Sequence, residues 1–165
     1  MNFILRPWKM DDLEQVSQHA DNPKIAGNMS DSFPDSLSKW ERFLGFAIND
    51  KQIFYIAIEI NGQASGGIGL KPCEDVHRYN AEMGYWLSEK YWGKGIMTEV
   101  VIEFVQLSFH RFPDIRRIFA RPFGTNISSR AVLEKAGFKL EARFEKTIFK
   151  NGKLLDEYIY AIRRK

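Results

Sequence analysis

Residues 85–99 read Tyr85-Trp86-Leu87-Ser88-Glu89-Lys90-Tyr91-Trp92-Gly93-Lys94-Gly95-Ile96-Met97-Thr98-Glu99. An apolar strand runs into glycines at 93 and 95, and Met97, Val100, Val101, Phe104 and Val105 then recur at helical spacing. The stretch predicts a strand passing through a glycine turn directly into an amphipathic helix. Glycines let backbone amides approach a ligand, and a helix start adds unpaired N–H groups with roughly half a positive charge. Such a turn suits a phosphate, although a tight strand-to-helix turn with no ligand satisfies the same pattern. Two nucleotide signatures fail here. The phosphate-loop pattern needs four residues between Gly and Gly-Lys-Ser/Thr, and the dinucleotide fingerprint needs a third glycine where Thr98 stands.

Outward from this turn, the pattern predicts a strand over Asn80 to Leu87, a helix over Ile96 to His110, a strand over Arg116 to Pro122 and a helix over Ser128 to Ala136, stopped by Gly137. Strand, helix, strand in that order implies a right-handed crossover and one parallel pair. Asn61-Gly62 and Asn151-Gly152 each separate two strand-like runs, Ile53 to Ile60 from Gln63 to Leu70 and Phe138 to Phe149 from Lys153 to Ile162. Both dipeptides supply the positive φ angles of a two-residue hairpin turn. At the amino end, Phe3 to Arg6 reads as a strand. Asp11 and Glu14 read as a capping box opening a helix of about 11 residues on Leu13, Val16 and Ala20. Asp21 to Pro34 reads as a polar loop, and Ser36 to Asn49 as a helix whose stripe is Trp40, Phe43, Leu44 and Ala47.

The chain has 165 residues, a formal charge of +3, and 13 Phe, 6 Tyr and 4 Trp. No linker or repeat divides it, so residues 1–165 are expected to form a single mixed α/β domain with ample apolar mass for one core. Disordered and disulfide-framework classes do not fit. No apolar run approaches the roughly 20 residues of a membrane helix, and no secretory leader is legible. With Cys73 as the single cysteine, a reducing, cytoplasmic setting is expected. The small positive balance gives no argument for nucleic acid, since basic residues cluster only at Arg116-Arg117 and Arg163-Arg164-Lys165.

A second segment gives the first its meaning: Asn126-Ile127-Ser128-Ser129-Arg130-Ala131-Val132-Leu133-Glu134-Lys135-Ala136-Gly137-Phe138. Together the two resemble the GNAT N-acetyltransferase superfamily, with its acyl-coenzyme A pyrophosphate loop, its Asn at the start of the helix after the crossover strand, and its closing Lys-x-Gly-Phe. Glu82-Met83-Gly84-Tyr85-Trp86-Leu87 followed by Tyr91-Trp92-Gly93-Lys94-Gly95 looks closest to the branch of ribosomal-protein alanine and spermidine acetyltransferases. The resemblance implies a mostly antiparallel sheet of about seven strands, its central parallel pair splayed around acyl-CoA and flanked by about four helices. It implies acetyl-CoA as cosubstrate and no metal. The acceptor it implies is a primary amine on a small molecule, polyamine or protein N-terminus. Nucleic acid and membrane are not expected partners, and the chain would act as a monomer or homodimer.

On this resemblance, backbone amides of Trp92, Gly93, Lys94, Gly95, Ile96, Met97 and Thr98 hold the pyrophosphate, the exposed edge of Leu87 pairs with pantetheine, and Asn126 holds pantetheine amides or caps its own helix. Trp92 and Met97 depart from the usual loop, and Leu133 stands where many relatives carry a tyrosine that protonates the leaving thiolate, so that role has no bearer at 133. Acetyl transfer to an amine needs a base. Strand alternation puts Asn80, Glu82, Gly84 and Trp86 on one face, and Glu82 is the candidate base, with a solvated carboxylate or an ion pair with Arg78 as its bland alternative. Ser129 is the candidate acid for the departing thiolate; its alternative is first-turn capping. Cys73 and His77 lack a third orienting group for nucleophilic chemistry, and His19, His77 and His110 are too scattered for a metal. Arg116, Arg117 and Arg121 read as a solvated face, and Asp156 as structural. A non-catalytic acyl-CoA-binding module on the same fold, and a small nucleic-acid-binding domain, remain as alternatives.

Overall fold

A computed structural model describes residues 2–19, 22–50 and 52–165. Seven strands follow the order β1-β2-β3-β4-β5-β7-β6 in one sheet: β1 (Ile4–Pro7), β2 (Phe54–Ile60), β3 (Gln63–Pro72), β4 (Asn80–Leu87), β5 (Arg117–Ala120), β6 (Lys139–Lys150) and β7 (Lys153–Arg163). The helices among the described residues are α1 (Leu13–Ser17), α2 (Pro23–Ala26), α3 (Leu37–Asn49), α4 (Ile96–Arg111) and α5 (Ile127–Lys135). The expected mixed sheet with its parallel pair is present: β4 and β5 run parallel, with Asn80 opposite Arg117, Ala81 opposite Ile118 and Glu82 opposite Phe119. β4 then continues to Leu87 without a further partner on β5. Both hairpins form as expected, with Asn61 and Gly62 at φ of 53° and 75°, and Asn151 and Gly152 at 50° and 75°. Backbone contacts divide the chain into two compact units, Met1–Gly69 with Tyr85–Ile96, and Leu70–Gly84 with Met97–Lys165.

In the first unit, an aromatic core gathers Trp8, Val16, Ile25, Trp40, Leu44, Ala57, Ala64 and Trp86. The α3 stripe is as expected, with Trp40 and Leu44 buried and Phe43 and Ala47 packed against the core. β3 carries glycine where rings lie against the strand: a Cβ on Gly69 would fall 1.6 Å from Tyr55 Cδ1. Trp86 shares a strand face with Glu82, yet it is only 8% exposed. The rings of His19, Phe33 and Trp40 cover it, at centroid distances of 5.5, 5.9 and 5.5 Å.

Three expectations at the amino end need correction. The capping box lies two residues earlier, on Lys9 and Asp12: the Lys9 N–H donates to Asp12 Oδ2 at 2.9 Å, and Arg6 draws the Asp12 carboxylate inward with two donors at 2.7 and 2.8 Å. The first turn is therefore a 3-10 turn, Met10–Asp12, and α1 is a five-residue helix rather than a long one. Ala20, the third residue of its predicted stripe, lies outside the described residues, as does Asp21. The segment expected to be only loop contains α2, whose start is fixed by Asn22 Oδ1 accepting from the Lys24 N–H at 3.0 Å and by Pro23 at the first helical position. This raises the number of helices from about four to five among the described residues.

In the second unit, α4 buries Met97, Val100, Val101, Phe104 and Val105 as its spacing predicts. The end of α4 is closed by Arg164, which donates to the Phe109 and Phe112 carbonyls at 2.7 and 2.8 Å and to Ile115 O at 3.0 Å. β5 is shorter than expected, since Pro122 has no N–H to continue a ladder and Phe123 instead bridges to Glu157. α5 ends in paired bonds from Gly137 N to Glu134 O and from Phe138 N to Leu133 O, with Gly137 at φ 91°. The β6–β7 ladder shifts register between Phe144 and Ile148, where Lys146 sits at φ 52° and donates its N–H to Asp156 Oδ1 at 3.1 Å. Arg143 donates to the same carboxylate at 2.7 Å, so Asp156 is structural, as expected.

Candidate active site

The donor loop is built within the first unit. The Ser88 N–H donates to Ser65 O at 2.7 Å. Because the peptide is planar and trans, the Leu87 carbonyl points away from β3. That oxygen accepts from Trp92 Nε1 at 2.8 Å. A 3-10 turn, Glu89–Tyr91, connects the two residues and is anchored by the buried Tyr91 ring. Glu89 accepts from Asn22 Nδ2 at 3.1 Å and pairs with Lys24, and the Lys24 bond is the main cause that holds its carboxyl below the usual range.

Gly93 and Gly95 stand at φ 72° and 78°, and a Cβ on either would meet no atom within 4 Å. What these two positions require is thus backbone conformation rather than room. Among the described residues, the N–H groups of Gly93, Lys94 and Gly95 donate to no backbone carbonyl. The Lys94 ammonium turns back to Lys90 O at 2.9 Å and lies over the Tyr91 ring, while the Ile96 and Met97 side chains are buried. The loop therefore presents backbone donors running into the first turn of α4, which fits an anionic pyrophosphate.

Two further groups belong to the second unit. At the start of α5, Asn126 Oδ1 accepts from the Ser129 N–H at 3.1 Å, so Asn126 caps this helix and the two predicted residues are brought together. Leu133 is 0% exposed and belongs to the core. The nearby phenol is Tyr160, whose OH donates to Glu134 Oε1 at 2.6 Å and receives Arg130 Nε at 3.5 Å; burial raises its pKa above the ordinary value. On the sheet, Glu82 stands half-buried opposite Phe119. Arg78, its candidate ion-pair partner, instead donates to Asp75 O at 3.1 Å and lies over the Tyr79 ring. Burial first, and then the Glu82 carboxylate, push the Cys73 thiol up.

Sequence reasoning missed a cavity of about 320 Å³ on this face, lined by Cys73, Glu74, His77, Asn80, Arg117 and Phe119. The usable signal was the matched alternation of polar residues on the two strands, Asn80 and Glu82 beside Arg117. The arginines read as a solvated face are engaged: Arg117 with Glu141 at 2.6 Å, Arg121 with Glu157 at 2.7 Å. Arg163 also pairs with Glu141, at 2.5 Å. Among the described residues, no group of three or more His, Cys, Asp or Glu could hold a metal ion, and no helix is long and apolar enough to cross a membrane.

Residues 2–139 match the family described as Acetyltransferase (GNAT) domain. The chain belongs to that family. It is 42% identical over 82 residues to the probable N-acetyltransferase YjcK of Bacillus subtilis, covering 50% of this chain and 45% of YjcK. It is 30% identical over 102 residues to the putative ribosomal N-acetyltransferase YdaF of the same organism, covering 62% and 55%. The matched stretches thus span about half the length of these two relatives. In fold, it resembles the solved structure of RimL, a ribosomal L7/L12 alpha-N-protein acetyltransferase in complex with coenzyme A, with a TM-score of 0.84 at 21% identity over 99% of this chain and 94% of that one.

Proposed function

We propose that this chain is an N-acetyltransferase that moves an acetyl group from acetyl-CoA directly to a primary amine in a ternary complex. The observation that carries this is the loop of free backbone donors at Gly93, Lys94 and Gly95 running into α4, in a chain of the acetyltransferase family. Acetyl-CoA, as donor substrate, supplies the activated acetyl thioester. Backbone N–H groups from Trp92 to Thr98 hold its pyrophosphate. Leu87 offers its N–H to the pantetheine arm, its carbonyl being taken by the Trp92 indole.

An amine of pKa about 10.4 is neutral roughly once in 2,500 molecules at pH 7. Glu82 takes the proton that the amine loses as its nitrogen bonds to the acetyl carbon. The sulfur leaves as thiolate, of ordinary pKa about 8.5, and the Ser129 hydroxyl or water returns a proton to it; Asn126 fixes the turn that carries Ser129. We extend the proposal to one acetyltransferase domain over residues 1–165, cytoplasmic, acting as monomer or homodimer, with neither nucleic acid nor membrane as partner. Three arginines of the two basic clusters have internal partners, Arg117 and Arg163 on Glu141 and Arg164 on the Phe109 and Phe112 carbonyls, which supports leaving nucleic acid out.

Calorimetric titration of the folded chain with acetyl-CoA tests the donor site, and absence of binding overturns it. Glu82→Gln then tests the base: kcat is expected to fall at least 100-fold, the lower end of what a positioned base contributes, with acetyl-CoA affinity within twofold of wild type. A second reading, a non-catalytic acyl-CoA-binding module, draws on the core position of Leu133. Binding of acetyl-CoA with no thiol release across an amine panel would favour it.

A further inference from the structure

The sheet face that carries Glu82 narrows the choice of acceptor. β4 and β5 lie in register, with Asn80 beside Arg117 and Glu82 beside Phe119. Alternation places these four side chains on one face, and Arg117 lies diagonal to Glu82 at about 8 Å between Cα atoms by strand geometry. The cavity of about 320 Å³ opens over this face, at the small end of the range for small-molecule sites.

Both signs of charge meet at this cavity, Arg117 and Glu74 among its lining residues. Arg117 is locked in place: Nη1 donates to Asn80 Oδ1 at 3.1 Å, and Nε and Nη2 donate to Glu141 Oε2 at 2.9 and 2.6 Å. Its plane lies over the Phe119 ring, 4.6 Å from the centroid. A guanidinium carries five N–H donors, so two of them stay available. Glu141 serves Arg163 as well, at 2.5 Å; one carboxylate shared by two guanidiniums leaves this cluster net positive. Glu74 is the carboxylate among the lining residues; Glu82 is not one of them but flanks the cavity as the register partner of Phe119, close enough to act on the Cys73 thiol. His77 lends its carbonyl to Asn80 Nδ2 at 3.0 Å, which fixes the wall between them.

The Glu82 carboxylate and the undercompensated Arg117 guanidinium, diagonal on one strand face, match a ligand with one ammonium and one carboxylate. A polyamine would bring a second cation to Arg117. Building on the acetyl-transfer role of Glu82 above, we propose that the acceptor is a small zwitterionic amino acid, its amine presented to Glu82 and its carboxylate held by Arg117.

Two measurements test this and separate it from the acetyl-transfer assignment. Glycine, β-alanine and 4-aminobutanoate are titrated calorimetrically against the whole chain, with and without saturating CoA, beside their carboxamides. At least one acid is expected to bind tenfold or more tightly than its carboxamide. Arg117→Gln, its fold checked by circular dichroism, is expected to bring that ratio towards one. Wild-type protein that binds every acid no better than its carboxamide overturns the proposal, whether or not the variant folds. Thiol release from acetyl-CoA is then followed with the same compounds and with spermidine, where kcat/KM is expected to be at least tenfold higher for an acid than for its carboxamide or for spermidine. Preference for spermidine or the carboxamide overturns the zwitterionic acceptor. Arg117-dependent binding of the acid with no thiol release upholds the carboxylate site and overturns the role of Glu82 in transfer.

Discussion

The indole Nε1 of Trp92 donates to the carbonyl oxygen of Leu87 across 2.8 Å, joining the last residue of β4 to the residue that precedes the glycine turn. The Trp92 ring itself is 42% exposed, so this single bond, more than burial, sets where the turn begins. An internal hydrogen bond of this kind contributes about 1 kcal/mol. Trp92→Phe keeps the ring and removes the bond; acetyl-CoA affinity, measured by calorimetry, is expected to weaken about three- to tenfold with the fold unchanged. Tighter binding by the variant would show instead that the indole competes with the pantetheine arm for Leu87.

Gly95→Ala puts a side chain into open space but at a φ of 78°, a conformation that costs an L-residue about 1–2 kcal/mol. Relaxation of the turn would move the backbone donors off the pyrophosphate. Acetyl-CoA affinity is expected to fall about tenfold and Tm by a few degrees. Wild-type affinity in this variant would remove the turn from the donor site.

Asn126→Ala tests the cap of α5. Loss of the bond to the Ser129 N–H is expected to cost about 1 kcal/mol, a Tm decrease of about 2–4 °C for a chain of this size. Asn126→Asp, which keeps the acceptor, is expected to restore the Tm; scanning calorimetry reads both.

His19 packs against Trp86, and burial, followed by the Lys90 ammonium, holds its imidazole below the ordinary 6.5. The unfolded chain therefore takes up a proton at higher pH than the folded one. Stability from this group is fully present above about pH 6.5 and is lost as pH falls through the lower folded value. The His19 resonances should titrate with a midpoint below 6.5, and urea unfolding of His19→Gln should show a flatter stability profile between pH 6.5 and 5 than wild type. A midpoint above 6.5 would contradict the packing.

The segments that were legible in the sequence are those in which one local rule acts alone. Asn-Gly dictates both hairpins, Gly137 the end of α5, and the period of Met97 to Val105 the buried face of α4. The errors lie where distant partners decide. Arg6, from β1, draws in Asp12 and moves the start of the first helix. α2 has only four residues, too few to show a period, although Asn22-Pro23 marks its start. Trp86 obeys strand alternation yet is covered, because His19, Phe33 and Trp40 converge on it from separate elements. At the site, the loop was legible because glycine spacing encodes backbone shape directly. The cavity beside Arg117 was not, because its walls come from two stretches, 73–80 and 117–119, whose register only the sheet supplies.

Asn22 and Lys24 both end on Glu89, so α2 and the turn that precedes Gly93 share one carboxylate. A displacement of either is transmitted to the other as a change in free energy, and the transmission runs equally in both directions. The tie between α2 and the turn before Gly93 is thus partly electrostatic, and salt that screens the Lys24–Glu89 pair loosens it.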